Sequence, residues 1–400
     1  MKKFYPLLWV ILLAGSGIFS TAAAFNSLYV FGDGVCTTTN NTFTGPTYYG
    51  KRFSNGRVWI EVLAQRQGLV YDANKNWSYF GQDSFNLVTN VSHFVAPADA
   101  ANDLFVVWAN DADFVGYLET LYSPYTTNAS LLAWTTNMNN SLTNHFKAVT
   151  NLYAKGVRTL IMPNAVDVTK IPYFDNEAAS DRSFVRQRII SYNIGFSNIL
   201  SQAKAVCPGL KIYVPDIFGL LDNVLTNASA YGLTNALYNL GQGNISVAAI
   251  NAPFITAATN GPGTNFIFWD QFDPTAAMHE VLADFVQQFI SPVQFSGLVQ
   301  VNGSNQLNVV NMPVGLNGYL YGCTNLGLAN WTVVTNFNSL AVTQSIFVVT
   351  PPVPPYTGST NGSGGSIDPN NPGTNSVSGP PIFNPAQFYH LRFPYAWNWP

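Results

Sequence analysis

Side chains able to attack, to move a proton or to bind a carbonyl oxygen gather in four short stretches of the chain. In Leu28-Tyr-Val-Phe-Gly-Asp-Gly-Val-Cys36 an apolar run ends in a sharp turn bearing Asp33, Gly34 and Cys36, with Thr37, Thr38 and Thr39 behind it. Leu104-Phe-Val-Val-Trp-Ala-Asn-Asp111 ends on Asn110, whose amide can donate to a carbonyl oxygen or oxyanion. Phe268-Trp-Asp-Gln-Phe-Asp-Pro-Thr275 supplies Asp270 and Asp273, and Pro274-Thr-Ala-Ala-Met-His-Glu280 should open a helix carrying His279. Cys36 or a neighbouring threonine is a conceivable nucleophile and His279 a conceivable base. Asp33, Asp270 and Asp273 crowded on one rim would either raise a carboxyl pKa or hold a cation such as calcium, although no known metal loop has their spacing. Neither a cofactor nor a metal is expected.

The elements that must position these residues alternate. Apolar strand-like runs at residues 104–108, 157–162, 211–214 and 266–269 are interleaved with helix-like stretches at 131–154, 182–205 and 275–289. Such alternation predicts a parallel sheet covered on both faces by helices. Ligands of such sheets bind outside the carboxyl ends of the strands. Gly34, Asn110 and Asp270 all fall at or just past strand ends, and therefore around one crevice.

The same stretches carry a family resemblance over roughly residues 25–290. Phe31-Gly-Asp-Gly-Val-Cys36 resembles the opening motif Phe-Gly-Asp-Ser-Leu-Ser of the GDSL, or SGNH, hydrolases, and Arg52-Phe-Ser-Asn-Gly-Arg-Val-Trp-Ile-Glu-Val-Leu-Ala64 is similar to the family segment that follows. The stretch ending in Asn110-Asp111 resembles the family's Gly-x-Asn-Asp strand, with Ala109 in place of the glycine. Tyr213-Val-Pro-Asp-Ile-Phe-Gly-Leu-Leu-Asp222 with Ala230-Tyr-Gly232, and the block from Phe268 to Thr275, are similar to two more. The resemblance implies a flavodoxin-like three-layer α/β/α fold and ester hydrolysis. It also implies roles: Gly34 stands at the nucleophilic serine, Asn110 at the oxyanion donor, Asp270 at the triad acid and Asp273 at the triad histidine.

Attacker and base are thus both replaced. Gly34 has no side chain, and an ordinary aspartate at position 273 is ionised at neutral pH, with a pKa of about 3.9, too weak a base to activate a hydroxyl unless its surroundings raise it. Losing one triad member in a serine hydrolase of another fold costs on the order of 10⁶ in turnover. Ester hydrolysis is therefore expected to be close to undetectable. Cys36, two positions along the turn, points elsewhere than position 34, and His279 reads as a packing or hydrogen-bonding residue. His93 and His145 lie in segments without a chemical motif. What survives is a pocket in which backbone N–H groups near Gly34, together with Asn110, bind a carbonyl without attacking it.

Composition supplies the rest. Residues 1–24 combine a basic start, an apolar run and Ala22-Ala-Ala24, the pattern of a cleaved signal peptide, so a secreted, periplasmic or cell-surface protein is expected. No later stretch has the apolar length of a transmembrane segment. Charged residues make up 9% of the chain with a net charge of -3, which argues against nucleic acid. The cysteines are Cys36, Cys207 and Cys323, an odd number that defines no disulfide framework. The hydrolase-like domain is expected to span residues 25–291. Residues 292–400 read as a β-rich module of short β-branched and aromatic strands, interrupted at 351–381 by a Pro/Gly/Ser/Asn-rich loop. Trp331 is expected in its core, His390 as an ordinary strand residue, and Trp397 and Trp399 as exposed aromatics able to bind sugar or a cell surface. Three functions remain open: a catalytically impaired GDSL-type esterase or lipase homologue binding an ester, acyl, lipid or glycan ligand; an active esterase with relocated residues; and a surface-binding protein that uses the C-terminal module.

Overall fold

A computed structural model describes residues 25–42, 47–121, 125–174, 177–234, 237–239, 244–246, 249, 263–301, 304–323, 330–349 and 388–394. The proposed signal peptide, the 351–381 segment, Trp397 and Trp399 lie outside the described residues. Strands β1 (Leu28–Gly32), β2 (Leu104–Trp108), β3 (Thr159–Ile161) and β4 (Lys211–Tyr213) form a parallel sheet in that order. Every residue of β1 and β2 is buried, which is why both read as unbroken apolar runs rather than as alternating ones. Between β1 and β2 run α1 (Trp59–Arg66) and α2 (Ser84–His93); α3 (Asn110–Thr120) and α4 (Asn128–Ala154) lead to β3. Helix α5 (Ala179–Val206) connects β3 to β4, and α6 (Ile217–Thr226) follows β4. After a small hairpin of β5 (Leu237–Asn239) and β6 (Asn244–Ser246) comes α7 (Ala276–Ile290).

Side-chain alternation along the strands sorts the layers. Tyr29 and Phe31 of β1 and Phe105 of β2 meet Phe94 at the end of α2, with ring centroids 5.5, 5.3 and 5.8 Å away. On the other face Trp108 of β2 meets Trp59 of α1 at 5.5 Å. Helix α1 packs on α7, while α4 packs on both α2 and α5. Beyond the free edge of β1, residues 76–79 run parallel to it: the Trp77 N–H donates to Val30 O at 2.8 Å and the Tyr79 N–H to Gly32 O at 3.3 Å. The spatial order is therefore residues 76–79, β1, β2, β3, β4, the flavodoxin-like order whose direction reverses between β1 and β2.

The stretch 266–269 is not the fifth strand that its apolar run predicts. It makes isolated bridges from Phe266 to Thr234 and from Phe268 to Pro274, and doubles back on itself through the Trp269 N–H on Asp273 O at 2.8 Å and the Thr275 N–H on Ile267 O at 3.1 Å. The doubling back carries Asp270 and Asp273 on a tight turn and delivers Thr275 as the N-cap of α7.

The N-terminus of α7 is fastened to the loop before α1. Asn55 Oδ1 accepts from the Ala276 N–H at 2.7 Å, Ser54 Oγ donates to Pro274 O at 3.0 Å, and the Trp59 N–H donates to His279 Nδ1 at 3.2 Å. Gly56 sits between these contacts, and a Cβ there would lie 2.6 Å from Ala276 Cβ, closer than folded proteins tolerate.

From residue 294 the chain is antiparallel. Strands β7 (Gln294–Val301), β8 (Ser304–Val310) and β11 (Thr343–Val349) form one sheet in the order β11-β8-β7; β9 (Asn317–Cys323), β10 (Thr332–Asn338) and β12 (Phe388–Arg392) form another in the order β10-β9-β12. Their inner faces share an apolar cluster of their own that includes Leu307, Val309, Leu320, Ile346, Val348 and Leu391. Arg66 bridges to this part of the chain: its Nη1 donates to Val314 O, and the Val314 N–H donates to Arg66 O, both at 3.2 Å.

Candidate functional site

The turn after β1 is a single 3-10 turn, Gly34–Cys36, capped by Asp33, whose Oδ1 accepts from the Val35 N–H at 3.2 Å. At Gly34 a Cβ would lie 3.3 Å from Asp273 Oδ1 and 2.9 Å from Phe80 Cδ2. Position 34 thus faces position 273 directly, and the Phe80 ring overlaps the space a side chain would need. Cys36 faces the opposite way. It is buried against Gly32, its Sγ accepts from the Trp59 indole N–H at 3.3 Å, and burial pushes its thiol well above the ordinary range. Thr37 donates to Ser78 O at 3.0 Å, and the Thr38 hydroxyl pairs with Tyr71 OH at 2.7 Å. None of residues 36–39 lines the pocket described below.

Asp270 serves its own turn. Its Oδ1 accepts from the Phe272 and Asp273 N–H groups at 2.9 and 2.7 Å, and its Oδ2 accepts from Tyr48 OH at 3.1 Å. Asp273 is buried and its Oδ2 has no hydrogen-bond partner. Burial, with the Asp270 and Asp33 carboxylates adding to it, pushes its carboxyl well above the usual range. Burial therefore favours the protonated form of Asp273, which the sequence does not show because it does not reveal how completely this turn is covered. His279 is also buried, on the first turns of α7, with Nδ1 taken by the Trp59 N–H. Burial lowers its pKa to about 3, so it is a neutral structural histidine.

Asn110, at the start of α3, is fully buried, and its amide donates to Pro163 O at 3.1 Å rather than into the crevice. Its neighbour Asp111 takes the place at the pocket wall, with Oδ1 accepting from the Val166 N–H at 2.8 Å. Burial, then the Asp33 carboxylate, push Asp111 well above the usual carboxylate range, and burial pushes Asp33 up to about 7. Asp111 and Phe80 are the site residues that sequence reasoning missed. For Asp111 the signal was present, an acid immediately after Asn110 where a strand gives way to a helix.

These residues border a cavity of about 270 Å³ at the carboxyl ends of β1 and β2, where the strand order reverses. Gly34, Asp33, Asp111 and Asp273 form its polar end, and Trp108, Val115, Val166, Ile171, Ile217, Leu221, Ile267, Met278 and Leu282 its apolar walls. Phe80 and Phe272, 5.8 Å apart at the mouth, continue into Phe53 and Tyr173. Among the described residues no group of three His, Cys, Asp or Glu side chains is placed to hold a metal ion. Carboxyl groups at the polar end can donate to a carbonyl oxygen where they hold a proton, with an apolar tail lying along the walls, whereas the Val35, Cys36 and Thr37 N–H groups of the turn are already bonded to Asp33 Oδ1, Asp33 O and Gly34 O. None of the described residues that line the cavity carries a hydroxyl or thiol to attack a carbonyl.

A second polar cluster lies under α3, α4 and α5, away from the cavity. Ser141 donates to Asp113, its hydroxyl pairs with Tyr192 OH at 2.9 Å, and it lies 3.5 Å from His145 Nδ1. His145 Nδ1 is bonded to Ser141 O at 2.9 Å, and burial lowers its pKa to about 4. With that nitrogen engaged on the carbonyl and every member buried, the Ser141–His145 contact is part of the core. His93 is exposed at the end of α2.

The family model described as GDSL-like Lipase/Acylhydrolase matches residues 28–286. Two GDSL esterases/lipases of Arabidopsis thaliana are 30% and 28% identical to the chain over 145 and 144 residues, 34% of this chain and 40% of each of theirs. The chain thus spans about two fifths of the length of these curated relatives. Similar solved structures include an acetylxylan esterase from Geobacillus stearothermophilus, at 12% identity and a TM-score of 0.39 over 68% of this chain and 95% of that one. An alpha/beta hydrolase enzyme from the metagenome of Lake Arreo gives 12% identity and a TM-score of 0.37 over 68% and 98%.

Proposed function

This chain belongs to the GDSL-like lipase/acylhydrolase family, and we propose that within it the protein is a secreted ester-hydrolase homologue that has lost its Ser/His chemistry and holds an acyl ligand instead of cleaving it. The observation that carries this reading is the direct apposition of Gly34 and Asp273, with 3.3 Å between a Cβ at position 34 and Asp273 Oδ1. The two positions keep the mutual approach that proton transfer requires, yet one has no side chain and the other is a carboxyl whose burial favours its protonated form. Catalysis by a displaced residue has no support, since Cys36 is buried with its thiol protonated and His279 is buried and committed to Trp59. The apolar walls favour an acyl chain over a glycan in this cavity. Export is supported by the pattern of residues 1–24. A division near residue 291 into a hydrolase-like unit and a β-rich module is supported by their two separate apolar clusters.

The test is release of nitrophenol from a short-chain nitrophenyl ester by the purified protein. A rate no greater than that of buffer is expected, while the ester quenches the fluorescence of Trp108 in the cavity wall. Turnover that disappears in Asp273→Ala or Cys36→Ala would overturn the proposal.

A further inference from the structure

The C-terminal module carries a second feature that the cavity does not explain. In the β10-β9-β12 sheet, alternate residues point inward and outward. Leu320 and Leu391 face the module's own core. Tyr319 and Tyr321 of β9, His390 and Arg392 of β12 and Val333 of β10 share the opposite face, with Tyr321 in register with His390 and Tyr319 with Arg392. Trp331 joins them from the residue before β10. The rings form a continuous row: Trp331 to His390 4.3 Å, His390 to Tyr321 5.0 Å, and Tyr321 to Tyr319 6.5 Å between centroids. Tyr319 and Val333 are 46% and 53% exposed, and Trp331, expected in the core, lies outside the module's apolar cluster. Trp331 precedes Thr332, the partner of Gly322, and its ring lies tilted against His390 rather than in the cluster around Leu307, Leu320 and Leu391.

We propose that this outer face, through Tyr319, Tyr321, Trp331 and His390 with Arg392 and Asn336 beside them, is a platform for a neutral polysaccharide chain. A row of tilted aromatic faces offers apolar surface to the C–H faces of successive sugar rings, while the tyrosine hydroxyls, the Asn336 amide and the Arg392 guanidinium reach the sugar hydroxyls. Charge selects against other occupants. Residues 292–400 contain one acid, Asp368, and one strong base, Arg392, besides His390. Nucleic acid needs several cations along its phosphates, and an anionic membrane needs a basic cluster. An uncharged polymer needs neither. The proposal is independent of the acyl cavity, which lies in the other part of the chain.

The experiment uses the full chain, with co-sedimentation on insoluble cellulose, chitin and mannan and retardation in gels cast with soluble xylan or starch. Retention by at least one of these polymers is expected, undiminished by high salt, and weakened roughly tenfold by Tyr319→Ala or Trp331→Ala, the upper range for loss of one aromatic contact. Phe347→Ala, on the other sheet and 58% exposed, should leave retention unchanged and controls for general surface stickiness. The proposal is overturned by failure on every polymer, by retention that both platform variants keep, or by retention only on an anionic polymer such as pectin that salt abolishes. It is equally overturned if sedimentation shows a dimer that Tyr319→Ala dissociates, because the face would then bind a second copy.

Discussion

Arg66 Nε and Asp284 Oδ1 stand 2.6 Å apart with both side chains buried, joining α1 to α7 underneath the cavity wall that Met278 and Leu282 provide. The same guanidinium bonds to Val314 O, so one side chain ties both helices to the turn between β8 and β9. Removing either partner takes from a buried charge the ionic partner nearest to it. Arg66→Ala or Asp284→Ala should each destabilise the protein by about 3–5 kcal/mol, measured by guanidinium unfolding, with Arg66→Ala the larger because it also frees Val314 O. Equal stability in either variant would show that the pair is dispensable.

Restoring the chemistry takes two changes, and a third should strengthen it. Gly34→Ser with Asp273→His rebuilds attacker and base, but a Cβ at position 34 would lie 2.9 Å from Phe80 Cδ2. Phe80 is 45% exposed and able to swing, so the pair alone should show weak nitrophenyl ester turnover. Adding Phe80→Ala should raise it by at least about tenfold, since misplacement of a reacting group by an ångström costs about 10² in rate. No gain from the third change would mean that Phe80 does not control this position.

Stability should depend on pH in a way that traces to Asp33. Its carboxyl is pushed up to about 7 in the folded state, against an ordinary value near 3.8. Folding therefore favours its protonated form. That contribution is complete below about pH 4 and is lost as pH rises to about 7 and beyond. The buried His145 and His279, lowered to about 4 and about 3, act in the opposite sense as pH falls below the ordinary histidine range. Comparison with Asp33→Asn isolates the first effect: the two proteins should melt alike near pH 4, and the variant should be the more stable at pH 8. Thermal melts that remain parallel across this range would remove the argument.

Thiol chemistry offers a simple check on burial. Cys36, Cys207 and Cys323 are free and buried, and thiolate access governs reactivity. A thiol reagent such as dithionitrobenzoate should leave the native protein largely unlabelled and react with all three cysteines in guanidinium. Rapid native labelling that Cys36→Ala abolishes would show that the β1 turn opens far more than its packing implies.

Ligand binding should follow the apolar walls. Leu221→Asp in α6, at the cavity wall, places a charge beside the acyl chain and should weaken quenching by a fatty acyl ester at least about tenfold, with a stability cost of about 1–3 kcal/mol. Unchanged quenching would move the ligand elsewhere.

The strands and long helices were legible because their signals are local. The unbroken apolar runs of β1 and β2 announce burial on both faces, and α4, α5 and α7 are long enough for their pattern to stand out. Residues 266–269 carry the same kind of run yet bend, because they make only isolated bridges, to Thr234 and to Pro274 of their own turn, rather than a ladder with another strand. Positions 34 and 273 could be singled out from the stretches around them. The contact of Phe80 with position 34 could not, since it depends on how residues 76–79 run along the edge of β1. Nor could the protonation of Asp273 or the turning of the Asn110 amide to Pro163, both of which are set by what surrounds them after folding.

The stitching of Ser54, Asn55 and Gly56 to the start of α7 has a consequence for the order of assembly. Contacts separated by some 220 positions must close before α1 is covered by α7, and long-range closure of this kind slows folding. During synthesis the side of α1 that meets α7 must wait, uncovered, until about 290 residues have been made. A nascent chain halted before α7 would therefore leave the α7-facing side of α1 open to chaperones and proteases, and the point of release from that vulnerability is the emergence of a single late helix.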